Sequence, residues 1–504
     1  MEPLLTSEQM RSVDRSVIEH IGIPELVLME HAGLAVAQSL EKRFGRALAQ
    51  TKGIVLVGPG NNGADALAAA RILHERGCQG IFVVLVKDRD KATLSQSAAL
   101  QLGILGKLGI PTSMRLASEV LQMSDWIIDG IFGTGLKRAL TGKTLETVRL
   151  LNSESGSKWV VSIDVPSGLN SDTGKPMGDS VKANETIALG FLKKGLLTAE
   201  AADFVGRINL ATIQIPRLLP FPVDSFLYTR EDTSRLPIRK KSSHKGDFGH
   251  VWILAGTEEK QGACILSALG ALKSGAGLVS LLGEKTAIDK ILPRLPAEVM
   301  TETWTSDFLK KDSKGSLIVG PGLGLHRYEL VKTCLQSKWP LVLDADALTL
   351  LAEHSAECES LLKARESTPT VLTPHPKEAA RLLGTSVEEV ESDRFAAVQK
   401  LSERFHCYLV LKGKGTCIRG PKGPTFVISQ GDSGLAKGGS GDLLSGILGA
   451  ILLQGMTAQQ AILLSVYLHG RASELLTQRT GTARSSLPSE IACELSTALK
   501  ELEP

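Results

Sequence analysis

Seven cysteines are spread over the chain (Cys78, Cys264, Cys334, Cys358, Cys407, Cys417 and Cys493), an odd number with no Cys-x-x-Cys pair and no companion histidine at metal spacing. That pattern speaks against a disulfide framework or a structural zinc site, and the thiols read as the reduced cysteines of a cytoplasmic protein. Long apolar runs are missing too. No stretch approaches the roughly 18 apolar residues of a membrane span, and residues 1–10 carry Glu2 and Glu8 where a signal peptide needs an apolar core. Charge of one sign is also absent: 57 Lys and Arg against 54 Asp and Glu leave a formal +3 over 504 residues. Neither a nucleic-acid nor a membrane partner is expected from such a balance. The one basic run, Arg239-Lys240-Lys241-Ser242-Ser243-His244-Lys245, is short and has no interleaved aromatic residue.

Glycine, by contrast, is plentiful. Its 50 residues exceed the usual share of roughly 7%, which implies many close backbone approaches of the kind nucleotide-binding α/β proteins use. With 43% hydrophobic and 22% charged residues the composition is that of a globular protein, and the length predicts two domains or three. Residues 216–245 carry Pro216, Pro220, Pro222 and Pro237 ahead of the basic run, without helical periodicity. The expected division is therefore a domain over residues 1–220, a linker over 221–245 and a second domain over 246–504.

Apolar runs alternate with helical periodicity along both halves. In the first, residues 7–20 and 26–40 read as helices, and short strands are predicted at 53–57, 81–86, 126–131 and 159–165, with helices at 64–75 and 91–108 between them. The strands end in polar or glycine-rich corners: Gly58-Pro59-Gly60-Asn61-Asn62-Gly63-Ala64-Asp65, then Asp129 leading to Gly133-Thr134-Gly135, then Asp164-Val165-Pro166-Ser167-Gly168. In a doubly wound sheet the carboxyl ends of parallel strands share an edge, so these corners are expected to converge. Asn62, Asp129 and Ser167 together offer hard oxygen donors suited to an alkali or alkaline-earth ion, although each aspartate could equally cap the following helix.

The second half repeats the scheme. Predicted strands lead into Ala255-Gly256-Thr257, Gly320-Pro321-Gly322-Leu323-Gly324, Asp344-Ala345-Asp346, Thr373-Pro374-His375-Pro376 and Lys412-Gly413-Lys414-Gly415-Thr416. Last comes Lys437-Gly438-Gly439-Ser440-Gly441-Asp442, running into the apolar stretch 443–453. Glycines ahead of a helix can turn backbone N–H groups toward a phosphate. A carboxylate there repels a phosphate, so Asp442 is either a helix cap or a base that takes a proton from a hydroxyl. The Gly-x4-Gly-Lys-Ser/Thr of a P-loop is absent.

The first-half motifs, in their order, resemble those of the NAD(P)H-hydrate epimerase domain. The second-half motifs resemble the ADP-dependent NAD(P)H-hydrate dehydratases, a ribokinase-like family. The resemblance implies two Rossmann-like α/β domains. In the first it implies contacts to the hydrated nicotinamide nucleotide from Asn61, Asn62, Gly63, Ala64, Asp65, Gly133, Thr134, Gly135, Leu136, Lys137, Arg138, Ala139 and Asp164, with K+ on Asn62, Asp129 and Ser167. In the second it implies substrate contacts from Ala263, Gly322, His375 and Asp442, and adenine-nucleotide contacts from Lys412, Gly413, Lys414, Gly415, Thr416 and Gly441, with ADP as co-substrate and Mg2+ on its phosphates. Asp442 and Asp164 are the implied catalytic residues, and NADHX and NADPHX the substrates; a homo-oligomer is the expected assembly. Ala64 and Ala66 depart from the family's glycines, and alanine there is expected to narrow the room for a phosphate. A ribokinase-like small-molecule kinase, or a nucleotide-binding regulator with an inactive first domain, are the alternatives.

Overall fold

The computed structural model describes residues 1–86, 93–198, 200–217, 219–233, 236–257, 259–305, 307–310 and 315–503. They form two compact units, Glu2–Val223 and Asp224–Pro504.

In the first unit, seven parallel strands lie in the spatial order Thr112–Ser113, Gly80–Leu85, Lys52–Val57, Trp126–Gly130, Trp159–Ile163, Glu185–Leu189, Arg207–Ala211. Counted along the chain, the order runs outward in both directions from Lys52–Val57. It therefore reverses between Lys52–Val57 and Trp126–Gly130, and the crevice beyond their carboxyl ends is the place where such sheets bind ligands. Gly58 sits at that point because nothing larger fits: a Cβ there would lie 1.8 Å from the Ile131 carbonyl oxygen. The helix Asn61–Glu75 opens directly from the turn, three residues before the predicted start at 64. Its run of buried alanines packs on the helix Glu25–Phe44, where a Cβ on Gly33 would come within 2.8 Å of the Ala69 nitrogen. Small residues on both helices thus permit a close crossing. The predicted first helix ends early, with Ser7–Arg15 passing into a wider turn over Ser16–Ile21. The helix expected over 91–108 is Gln96–Lys107; positions 91 and 92 lie outside the described residues.

The second unit's strands follow the order Val299–Thr303, Leu278–Gly283, His250–Leu254, Gly315–Val319, Leu341–Leu343, Thr370–Leu372, Tyr408–Leu411, Thr416–Arg419, Thr425–Ile428, Ser225–Leu227. The first seven are parallel, and the hairpins through Thr416–Arg419 are antiparallel. Here the order reverses between His250–Leu254 and Gly315–Val319. Of the segment 221–245, expected as a linker, the described residues from Asp224 on belong to this unit. Ser225–Leu227 pairs in parallel with Thr425–Ile428, and the Arg239 guanidinium lies 3.8 Å from the Phe248 ring centroid. A three-residue strand is too short to show a period, which is why proline and charge dominate the sequence signal there. The helix Ser440–Ile451 buries Leu443, Leu444, Ile447, Leu448 and Ile451, each worth roughly 1.5–3 kcal/mol. It packs on Gln261–Lys273 through glycine: a Cβ on Gly446 would stand 2.0 Å from the Ser267 carbonyl oxygen, and one on Gly270 2.3 Å from that of Leu443.

Two candidate active sites

At the first unit's switch point lies a cavity of about 510 Å³ lined by Asn61, Asn62, Asp65, Gly133, Thr134, Gly135 and Asp164, among others. The three expected corners do converge. Gly63 and Ala64 are buried and stand outside the lining, with a Cβ on Gly63 placed 2.1 Å from the Gly58 carbonyl oxygen. Leu136 is half-buried against a core cluster, while Lys137, Arg138 and Ala139 are exposed and stand outside the lining. Ala64 and Ala66 are fully buried in the helix packing, Ala66 facing Gly130. They do not line the cavity, so the expected narrowing at these alanines falls on a helix–sheet contact instead.

Asp129 is completely buried. It accepts hydrogen bonds from Ser162 Oγ (2.8 Å), the Ser167 N–H (2.8 Å), Ser167 Oγ (2.5 Å) and the Ile131 N–H (3.3 Å). Burial pushes its carboxyl pKa up despite these donors. Asn62 turns its Oδ1 toward Gly133, and its Nδ2 is buried without a hydrogen-bond partner. Asp164 occupies the left-handed backbone region (φ 66°), a conformation that costs a non-glycine residue free energy. Its carboxylate accepts from the buried Lys193 ammonium, which also donates to the Leu189 carbonyl at 2.7 Å, and its second oxygen faces the Thr134 N–H at 3.4 Å.

Sequence reasoning missed half of this wall. Arg11, Asp14 and Glu25 reach the cavity from the amino-terminal helices, and Lys193 joins the lining from Leu192–Lys193. Burial raises the Asp14 pKa to about 6, Lys193 opposing and Asp164 and Glu25 adding to it; Asp65 is raised well above the carboxylate range, by burial first and then by Asp164 and Glu25. The only sequence signal was a charged residue on an otherwise apolar helix face, as at Asp14 beside Met10, Val13 and Val17.

In the second unit Lys412, at the end of Tyr408–Leu411, places Nζ 2.7 Å from Asp344 Oδ1 and 3.9 Å from Glu378 Oε2. Ser445 Oγ donates to the other Asp344 oxygen at 2.9 Å. Burial opposes the Lys412 ammonium, but Asp344 and Glu378 outweigh it and its pKa rises. A Cβ on Gly441 would lie 3.2 Å from Lys412 Nζ, so the glycine-opened helix meets the lysine directly. That helix is capped by Gly439 (φ 95°) without a side-chain hydrogen bond. Asp442 is therefore not its cap; it stands in the first turn with its carboxyl pKa pushed up to about 6, chiefly by burial and next by Asp344, Lys412 opposing.

Gly322 (φ 61°) stands against Ala263: their would-be Cβ contact is 3.4 Å. His375 caps the helix Pro376–Leu383, its Nδ1 accepting from the Lys377 and Glu378 N–H groups at 3.1 and 3.2 Å. Burial, then Lys412, lowers its pKa, so the ring is neutral with Nε2 left as donor. The structural and ligand-binding readings of this histidine are thus compatible. Lys414 Nζ donates to the Ser429 and Gly431 carbonyls at 3.1 Å each, Thr416 Oγ1 to the Gly413 carbonyl at 2.9 Å, and Gly413 takes φ 139° beside the Arg394 guanidinium; Gly415 also has a positive φ. Glu378, inconspicuous in the sequence, has its pKa raised to about 7 by burial against the pull of Lys412.

Two doubly wound sheets, the first with a polar cavity at its switch point and the second with a lysine–aspartate pair against a glycine-opened helix, define a two-unit α/β protein with a candidate site in each unit. Family profiles identify each half: residues 25–195 match the YjeF-related protein N-terminus and residues 251–497 match NAD(P)H-hydrate dehydratase. The chain belongs to the family of bifunctional NAD(P)H-hydrate repair enzymes. It is 33% identical to such an enzyme from Moorella thermoacetica over 99% of this chain and 97% of that one, and 35% identical to one from Vibrio cholerae over 94% of each. An ADP/ATP-dependent NAD(P)H-hydrate dehydratase of Bacillus subtilis, crystallised with ATP and Mg2+, aligns at 29% identity with 55% of this chain and 98% of its own, at a TM-score of 0.48.

Proposed function

We propose that the chain restores hydrated NADH and NADPH. The first unit interconverts the R and S epimers at C6, and the second dehydrates the S epimer with ADP, releasing AMP and phosphate. The observation that carries this reading is Asp442: a carboxyl group held in the first turn of a glycine-opened helix, beside Lys412, with a pKa near 6. Hydroxide is a poor leaving group, so the C6 hydroxyl has to be activated. Asp442 takes its proton as the oxygen attacks the β-phosphorus of ADP; the P–O bond to AMP breaks, and the ring nitrogen then expels phosphate from C6 to restore the dihydropyridine. Lys412 and the Gly441 N–H hold the phosphates, Lys414 and Thr416 flank the nucleotide, and His375, Ala263 and Gly322 position the hydrated ring. Mg2+ accompanies the nucleotide and offsets phosphate charge.

In the first unit, Asn61, Asp65 and the 133–135 loop receive the nucleotide and Asp164 moves the proton. The donor set suits K+. The hydrogen-bond partners of the buried Asp129 carboxylate bring no positive charge, Ser167 adds a hydroxyl oxygen, and the unpartnered amide end of Asn62 can turn its oxygen inward. A monovalent cation there would order the corners around Asp129. Among the described residues no helix is long and apolar enough to cross a membrane, and we place the enzyme in the cytoplasm as a homo-oligomer acting on free nucleotides. The test is to follow dihydronicotinamide absorbance from mixed epimers with ADP. Full recovery supports both activities, recovery of only the S fraction removes the epimerase, and accumulation of a phosphorylated product without phosphate release turns the second unit into a kinase.

A further inference from the structure

The first cavity contains a carboxyl group that the proposed chemistry leaves unused. Asp14, on the helix Ser7–Arg15, lines the same cavity as Asp164 and Lys193. Asp164 is committed to Lys193, whereas the Asp14 side chain makes no hydrogen bond or ion pair among the described residues. The charged groups that face it come from several elements: Arg11 from its own helix, Glu25 from Glu25–Phe44, Asp65 from Asn61–Glu75, Asp164 from the turn after Trp159–Ile163, and Lys193 from Leu192–Lys193.

The hydroxyl-bearing C6 of the hydrated ring is bonded to the ring nitrogen. Such a carbon inverts when its C–O bond breaks with formation of a C6=N1 double bond and water returns to the opposite face. The departing oxygen needs a proton, and the returning water must lose one. A protonated and an ionised carboxyl in one cavity supply both needs.

We propose that Asp14 is the acid partner of Asp164 in epimerisation: it protonates the C6 hydroxyl as the C6–O bond breaks, and Asp164 accepts a proton from the water that adds to the other face. One water leaves and one returns, so the atoms and electrons of the substrate balance. Asp164 ends protonated and Asp14 ionised, and exchange with solvent restores both before the next turnover; the two roles interchange in the reverse direction. A group with a pKa of about 6 is still partly protonated at neutral pH, and Asp164 stands in an ion pair with Lys193.

The inference rests on the epimerase reading, and the experiment separates the two. The full-length protein without ADP is given one pure epimer, and exchange is followed by chromatography across pH, with the spontaneous rate subtracted. Wild-type kcat is expected to fall about tenfold per pH unit above about 6 as Asp14 ionises. Asp14→Asn should lower kcat by roughly a hundredfold or more with little change in KM, and should lose the falling limb; Asp14→Glu should retain exchange with the limb displaced. Exchange in H2(18)O should place the label on C6 as it inverts. Asp14→Asn at the wild-type rate, a falling limb that Asp14→Glu leaves unmoved, or inversion without label would each overturn the proposal. No exchange by the wild type would instead overturn the epimerase reading. Should Asp14→Asn fail to fold, the Asp14→Glu profile and the label decide.

Discussion

Replacing Asp442 by Asn separates a base from a helix-stabilising residue, because the two roles move activity and stability in opposite directions. A general base contributes about 10²–10⁴ in rate, so Asp442→Asn should slow ADP-dependent dehydration of the S epimer by that factor, about 3–5 kcal/mol in the barrier. The carboxyl pKa rises from 3.8 to about 6 on folding. The folded state thus binds the proton more tightly, and ionisation of this group opposes folding. The cost is absent below pH 4, grows as pH rises from about 4 to 6, and is complete above that. A two-unit shift is worth about 3 kcal/mol, which partial solvent exposure reduces to about 2 kcal/mol. Asp442→Asn should therefore be more stable than wild type at pH 8, by roughly 5 °C in the melting of the second unit, and equal to it near pH 4. Calorimetry at the two pH values, beside absorbance assays with ADP, reads both quantities. In the wild type, kcat for dehydration should rise with pH and level off above about 6, as the base ionises. A variant that melts lower than wild type at pH 8, or that dehydrates within tenfold of the wild-type rate, refutes the assignment.

Three further outcomes test other parts of the structure. Lys193→Met strands the buried Asp164 carboxylate and should cost about 3–5 kcal/mol together with epimerisation; adding Asp164→Asn should recover melting temperature without recovering exchange. Gly446→Ala presses a methyl group to 2.0 Å from the Ser267 carbonyl, so the second unit should lose about 1–3 kcal/mol and its dehydration rate should drop while epimer exchange continues. His375→Ala removes both the helix cap and the ring, costing about 1 kcal/mol, whereas His375→Asn should keep the cap and its stability; a raised KM for the hydrated nucleotide in both variants would separate ligand contact from capping.

Local chemistry makes much of this protein legible in its amino-acid sequence alone. Short apolar runs ending in glycine, asparagine or aspartate announce parallel strands with a ligand edge, because turn residues and β-branched runs act within a few positions of one another. The corners at 58–65, 129–135, 164–168, 320–324, 344–346, 373–376, 412–416 and 439–442 are legible in that way. The signal fails where it is short or serves two purposes. Ser225–Leu227 has too few residues to display a period. Ala64 and Ala66 look like losses from a binding loop, yet they are fully buried in the packing of their helix.

What the sequence by itself determined is the set of polar strand ends and their order along the chain. Which of them act together was decided only by tertiary structure. Asp344 and Lys412 are 68 positions apart and meet because their strands flank Thr370–Leu372 in the sheet. Asp14 and Lys193 join Asp164 in one cavity although no local pattern links them. Burial shifts a carboxyl from its usual range to near neutrality, and burial belongs to the folded chain rather than to any segment of it. The sequence could therefore name Asp442, but only the fold could give that group, and Asp14, the protonation behaviour on which the proposed chemistry depends.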